Sequence, residues 1–159
     1  MFLKPLNSRV EQLLYWFIAL SSFLFFIVVI VGVLSRYVFL MPITWSIEVG
    51  RLMFIWSCFL AAALTYRKKA HIEISLVMDK LPEKVQVFLS ILSQILVIAF
   101  MVLITYAAIK TIILLWFSGL PVLQISQAWF YIPVPIASFC IMLFSVEDLS
   151  LILKKHKIY

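Results

Sequence analysis

Glycine and charged residues are scarce in this chain. Of its 159 residues only 3 are glycine and 13% are charged, whereas soluble proteins average about 25% charged residues. Hydrophobic residues make up 65% of the sequence. Apolar stretches this extensive could not be buried in the core of so short a chain. The composition therefore excludes an ordinary soluble domain and indicates an integral membrane protein.

Cysteine and histidine are equally scarce, with two of each. Cys58 and Cys140 lie singly inside apolar stretches, without a CxxC pair, which is typical of small buried apolar residues. His71 and His156 lie in polar segments with no partner at metal-ligand spacing. The sequence also contains neither a nucleophile elbow nor an HExxH motif. We therefore expect no enzymatic activity, no bound cofactor and no metal.

Basic residues are concentrated at the ends of the apolar stretches. The net charge of the chain, +6, does not indicate nucleic-acid binding, because the basic residues form no stripe with interleaved aromatic residues. Most of them fall in three segments: Lys4 and Arg9 in the N-terminal arm, Arg67, Lys68, Lys69, Lys80 and Lys84 in the second loop, and Lys154, Lys155 and Lys157 in the tail. Because cytoplasmic loops are enriched in lysine and arginine, we predict that both termini and the second loop are cytoplasmic.

Four apolar stretches are long enough to cross a bilayer. A span needs roughly 20 residues to cover a hydrocarbon core of about 30 Å. We predict an all-α membrane protein with transmembrane helices at about 12–35, 45–66, 85–117 and 128–153, forming a single domain. The second helix must begin near Trp45, because the uncharged stretch 52–66 alone covers only about 22 Å. The third helix is longer than a helix perpendicular to the membrane needs to be, so we predict that it is tilted or projects beyond the bilayer.

The loop between the second and third spans has its own pattern. Ile72, Leu76 and Val77 recur at helical spacing among charged residues. This spacing predicts a short amphipathic helix in the headgroup plane. Two interpretations remain open: the helix holds the second and third spans together at the membrane surface, or it is a docking surface for a partner.

Three charges lie between the first two apolar stretches, in SRYVFLMPITWSIEVGRLMFIW, residues 35–56. Glu48 and Arg51 share one helical face, where an ion pair can form, and Arg36 can reach the same level across a short turn. An unpaired charge in a half-dry site costs several kcal/mol. We therefore predict a mutually neutralising cluster of Arg36, Glu48 and Arg51. It either clamps the first helical hairpin or contacts a partner subunit.

Several short motifs in the first half of the chain resemble one transporter family. They are RYVF at 36–39, Pro42, WSIE at 45–48, Arg51 and RKKAHI at 67–72. Together they are similar to the DctQ-like small membrane subunit of tripartite ATP-independent periplasmic (TRAP) transporters. Ile47 departs from the family pattern, which commonly has the first of two consecutive acids at this position. Any role of the family that requires both carboxylates is therefore not implied for this chain, which has Glu48 alone.

The resemblance implies a set of site residues that form the cluster and position an interface, without catalysis. They are Arg36, Trp45, Glu48 and Arg51, with Arg67 and His71 on the cytoplasmic side. It also implies a four-span subunit of the bacterial inner membrane that scaffolds a large membrane subunit. That subunit would carry the substrate and sodium sites, and a periplasmic binding protein would deliver an organic acid, of dicarboxylate or sialic-acid type.

Two other functions are considered beside this one. An autonomous homo-oligomeric four-helix carrier or channel would transport its substrate without a second kind of subunit. A membrane redox enzyme would hold a quinone or a haem. The absence of a charged residue in the middle of any predicted span disfavours the carrier, and the single, separated cysteines disfavour a thiol oxidase.

Overall fold

Four long helices make up the part of the fold that the structure describes. The computed structural model describes residues 3–69 and 82–156. The helices are α1, Leu3–Tyr37; α2, Trp45–Lys69; α3, Glu83–Leu115; and α4, Pro133–His156. Each includes a stretch long and apolar enough to cross a membrane, so the protein is an all-α, multi-pass membrane protein. The predicted amphipathic helix of the second loop, which includes His71, lies outside the described residues.

The ends of two helices differ from the predicted spans. α1 begins at Leu3 and has 35 residues, so it is about 52 Å long and exceeds the hydrocarbon core. α3 has 33 residues and ends at Leu115, two residues before the predicted end. The backbone N–H groups of Trp116 and Ser118 donate to carbonyls three residues earlier. This tighter turn ends α3 ahead of Gly119.

The predicted fourth span is divided. A 3-10 turn, Gln127–Phe130, precedes α4, which begins at Pro133. Ser126 caps the turn, since its hydroxyl accepts a hydrogen bond from the Ala128 N–H at 3.1 Å. Proline has no N–H to donate and its fixed φ suits the first helical turn. A new helix therefore begins at Pro133 instead of continuing from residue 128.

α4 is the central helix of the bundle. It packs against both α2 and α3, while α1 packs mainly against α2. In the most apolar stretch of Gln127–Ile152, which includes the 3-10 turn and most of α4, 44% of the residues are buried, compared with 6% in α1 and 11% in α3. The buried core consists of Leu14, Leu60, Ala63, Ala137, Cys140, Ile141 and Phe144. α1 and α3 consequently leave most of their apolar surface for lipid or for another protein.

Small polar residues bring α1 and α2 close together. The Ser57 hydroxyl of α2 donates to the Met53 carbonyl at 2.8 Å, and its oxygen lies 3.0 Å from the Ser21 hydroxyl oxygen of α1. Further along, a Cβ atom at Gly32 would lie 2.8 Å from the Ser46 Oγ. Only glycine permits this approach. Small residues at helix contacts are the usual means by which membrane helices approach each other closely.

The bundle has two polar ends. The first, here called the Arg67 end, comprises the start of α1 and the ends of α2 and α4. The second, the Glu48 end, comprises the 38–44 turn, the start of α2 and the third loop, residues 116–126.

Candidate functional site

Glu48 fastens the third loop to the start of α2. Its carboxylate accepts hydrogen bonds from two consecutive backbone N–H groups, Val122 at 3.1 Å and Leu123 at 2.8 Å. Hydrogen bonds from amides to a carboxylate are stronger than those between neutral groups. Both carboxylate oxygens therefore have a partner, and the loop is held over the first turns of α2.

The third loop is shaped to present those two amides. The Leu120 N–H donates to the Ile125 carbonyl and the Gln127 N–H donates to the Ser118 carbonyl, each at 2.8 Å. Gln124 lies in the left-handed region with φ of 53°, which allows the chain to reverse in a short turn. These contacts close the base of the loop, and the N–H groups at its tip remain available to Glu48.

The two arginines at the Glu48 end take other positions. Arg51 places its guanidinium carbon 5.2 Å from the centre of the Phe130 ring, at cation–π distance, and Arg36 is exposed. Within residues 3–69 and 82–156, neither forms an ion pair with Glu48 within 4.0 Å. Trp45 is the first residue of α2 and is exposed. The geometry differs from the predicted neutralising trio, because loop amides already bind both oxygens of the carboxylate.

Arg67 lies in a buried ionic cluster at the opposite end. Its Nη1 atom is 3.0 Å from the Glu147 Oε2. The Asn7 side-chain amide donates to the same oxygen, and both Asn7 and Glu147 are almost fully buried. One carboxylate thus connects α1, α2 and α4. Removing one partner of such a buried pair is strongly destabilising, since a charge is left uncompensated.

Two further acids surround the Arg67 guanidinium. Asp148 Oδ1 lies 3.7 Å from its Nη1 and Glu11 Oε2 lies 3.9 Å from its Nε. The guanidinium carbon also lies 5.4 Å from the centre of the Phe144 ring. Three carboxylates therefore converge on one guanidinium, and this concentration of charge is located where the helices end.

Gln94 links α3 to the rest of the bundle. Its side-chain oxygen accepts hydrogen bonds from the Tyr66 hydroxyl at 2.8 Å and from the Ser145 hydroxyl at 2.6 Å. Gln94 and Ser145 are buried. The amide oxygen thus joins α2, α3 and α4 in a small polar network.

Sequence reasoning missed most of these contacts. It assigned Arg67 to an interface and gave no role to Glu147 or Asp148. A usable signal was present, because Arg67 and these acids fall on the same predicted side of the membrane. The partners of Glu48 carried no such signal, since backbone N–H groups occur at nearly every residue.

The polar contacts at the two ends of the described bundle join helices and a loop to one another. No three His, Cys, Asp or Glu side chains among the described residues are placed to hold a metal ion. The stretches 12–35, 52–66, 85–109 and 127–146 contain no charged residue. The charged groups are therefore confined to the ends of the bundle.

Curated proteins similar to this chain are permease components of TRAP transporters. The chain is 27% identical over 132 residues to the sialic acid TRAP transporter permease protein SiaT of Haemophilus influenzae, covering 83% of this chain and 21% of SiaT. It is 29% identical over 120 residues to the small permease protein SiaQ of Vibrio cholerae, covering 71% of this chain and 65% of SiaQ.

A putative TRAP small permease protein of Haemophilus influenzae is 28% identical over 114 residues, covering 70% of this chain and 69% of that protein. The chain thus spans about a fifth of SiaT and about two thirds of the two small permease proteins. The profile of the family described as tripartite ATP-independent periplasmic transporters, DctQ component, matches residues 25–155. The match covers most of the chain, and the protein therefore belongs to this DctQ family of non-catalytic transporter permease components.

Proposed function

We propose that this chain is the small scaffold subunit of a TRAP transporter and anchors a large membrane subunit during sodium-coupled uptake of an organic acid. A periplasmic binding protein delivers the acid, which is of dicarboxylate or sialic-acid type. The names of SiaT and SiaQ, both sialic acid transporter proteins, support that substrate class. One observation carries the proposal: the charged residues of four long helices all lie toward the ends of the bundle.

The uncharged middle of the bundle supports a role without a transport site of its own. Secondary carriers bind ions and substrates near the midplane, using ionisable side chains and interrupted helices. Among the described residues, α1, α2 and α3 are continuous through their apolar stretches. The sodium and substrate sites accordingly belong to the large subunit.

The outer surface of α3 supports a role in holding a partner. α3 is about 50 Å long by its 33 residues, and it exposes a row of large apolar side chains near its end. They include Leu103, Tyr106, Ile113 and Leu114. A helix this long, attached to the bundle through Gln94 and α4, provides a fixed wall against which a mobile subunit can move.

The distribution of basic residues supports an inner-membrane orientation with both termini in the cytoplasm. The Arg67 end then lies on the cytoplasmic side. The Glu48 end, with the third loop, faces the periplasm, from which the binding protein delivers the acid.

Reconstitution tests the proposal. Proteoliposomes would contain the large subunit alone, this chain alone, or both at equal protein amounts, with the loaded binding protein outside. Labelled sialic acid and succinate serve as probes, each with and without an inward sodium gradient. We expect sodium-dependent uptake of one probe only when both subunits are present. Full uptake by the large subunit alone would overturn the scaffold role, and uptake by this chain alone would establish an autonomous carrier.

A further inference from the structure

A cavity lies between α1 and α2 at the Glu48 end. Its volume is about 400 Å³, within the range of about 300–1,000 Å³ typical of small-molecule sites. Arg36, Arg51 and Tyr37 line its polar part, and Phe25, Val28 and Val29 line its apolar part. We propose that this cavity binds an anionic phospholipid, with the lipid phosphate on the two arginines and an acyl chain along α1.

The charged residues that line the cavity favour binding of an anion. Neither arginine has an ion-pair partner within the described ranges, and no acid lines the cavity. The nearest carboxylate in sequence, Glu48, is bound to the third loop. Arginine side chains near the ends of membrane helices extend toward the headgroup level. A lipid phosphate at that level can pair with both guanidinium groups, because arginine binds phosphate oxygens in a bidentate manner.

The position of the cavity favours a lipid over a free anion. Arg36 lies at the end of α1, next to the 38–44 turn, and Phe25 lies 11 residues before it on the same helix. Eleven helical residues span about 16 Å, close to half of the hydrocarbon core of about 30 Å. The apolar wall therefore has the length of one leaflet. A free anion would gain nothing from this wall, whereas an acyl chain would cover it.

The net charge of the lining favours an anionic headgroup over a zwitterionic one. Arg36 and Arg51 are the two charged residues of the lining, so the cavity attracts an anionic headgroup more strongly than a neutral one. The ammonium group of a zwitterionic lipid would be placed beside two cations with no acid in the lining. A headgroup such as that of phosphatidylglycerol carries no ammonium and avoids this repulsion.

Lipid titration of the purified full chain tests the proposal. Phosphatidylglycerol and phosphatidylcholine with the same acyl chains would be added to the protein in neutral detergent, and bound lipid would be counted by native mass spectrometry. Variants Arg36→Gln and Arg51→Gln would be compared with Arg9→Gln. This control removes the same charge from an exposed arginine of α1 at the opposite end. Circular dichroism and elution volume would verify that each variant is folded.

We expect phosphatidylglycerol to bind at least tenfold more tightly than phosphatidylcholine. Each cavity variant should weaken phosphatidylglycerol binding roughly tenfold, in line with the loss of one charged hydrogen-bonding group, and Arg9→Gln should leave it unchanged. If Arg36→Gln does not fold, Arg36→Lys replaces it. This variant keeps the charge but loses the bidentate geometry, so an intermediate weakening is expected.

Four results would overturn the proposal. The first is equal binding of the two lipids, and the second is an equal effect of the Arg9→Gln control, which would mean unspecific lipid contact. The third is displacement of the lipid by inorganic phosphate at similar concentration, which would assign the site to a free anion. The fourth is unchanged lipid binding by the Arg36→Gln/Arg51→Gln variant, which would show that the two arginines do not hold the lipid. The assay uses this chain alone, so its outcome does not depend on transport.

Discussion

The Glu48 carboxylate lies 2.8 Å from the backbone nitrogen of Leu123, which is 75 positions later in the chain. The other carboxylate oxygen binds the neighbouring amide, that of Val122. One side chain on the first turns of α2 therefore sets the position of the third loop. The 3-10 turn and α4 follow that loop directly, so the same contact also guides the entry of the central helix.

Glu48→Gln should loosen the third loop without unfolding the bundle. The amide has one acceptor oxygen, and its NH2 group would face an N–H donor. A hydrogen bond to a charged group contributes about 1.5–3 kcal/mol to stability. Its loss should therefore make amide hydrogen exchange at residues 118–126 faster by roughly tenfold or more. Hydrogen exchange measured by mass spectrometry checks this, with residues 55–65 of α2 as the internal control. Unchanged exchange in the loop would mean that other contacts hold it.

Arg67→Met should destabilise the whole bundle. It leaves the buried Glu147 carboxylate without its guanidinium partner, a change that costs about 3–5 kcal/mol. Thermal unfolding in detergent should show a lower midpoint for this variant, whereas Arg9→Gln, which removes an exposed arginine, should have little effect. Adding Glu147→Gln to Arg67→Met should restore part of the lost stability, because the unpaired buried charge of Glu147 is then removed. A double variant less stable than Arg67→Met would contradict the assignment.

Gln94→Leu should weaken the attachment of α3. The Tyr66 and Ser145 hydroxyls would lose their shared acceptor. Hydrogen bonds between membrane helices contribute about 0.6 kcal/mol on average and at most about 1.7 kcal/mol, so a modest loss of thermal stability is expected. Combining it with Tyr66→Phe and Ser145→Ala should recover much of that loss, since no polar group then lacks a partner. Additive losses in the triple variant would show that the three side chains act separately.

Two glycines of the α1–α2 contact should respond in opposite ways to alanine. At Gly32 a Cβ atom would lie 2.8 Å from the Ser46 Oγ, which is itself bonded to the Ile43 carbonyl at 2.7 Å. Gly32→Ala should therefore destabilise the protein by about 1–3 kcal/mol. At Gly50 the nearest atoms would be 3.9 Å away, so Gly50→Ala should stabilise it by about 0.5–1 kcal/mol through helix propensity. Thermal unfolding of the two variants provides the comparison, and equal effects would contradict the packing described.

The number of spans could be predicted from the sequence because it depends on local quantities. Uncharged length and the rise of 1.5 Å per residue place four helices, and the need for a full span correctly extends α2 back to Trp45. The division of the fourth span at Pro133 was missed. Apolar residues on both sides of that proline gave no change in hydropathy to mark it.

The contacts at the Arg67 end and the Glu48 end depend on how the helices pack. They could not be predicted from the local pattern of apolar and polar residues. Spacing placed Glu48 and Arg51 on one helical face, yet the carboxylate binds amides of the third loop, 74 and 75 positions later in the chain. Arg67 and Glu147 meet because α4 occupies the centre of the bundle. That order of helices follows from side-chain fit, which a pattern of apolar and polar residues does not specify.

The central helix is also the last of the four to leave the ribosome. Arg67 precedes Glu147 by 80 residues, an interval of about 4–16 s at translation rates of about 5–20 residues per second. During that interval Glu11 is the only acid of the buried cluster already synthesised with Arg67. The nascent α1–α2 hairpin therefore carries Arg67 with one of its three carboxylate partners, and the cluster is completed only after α4 has been synthesised.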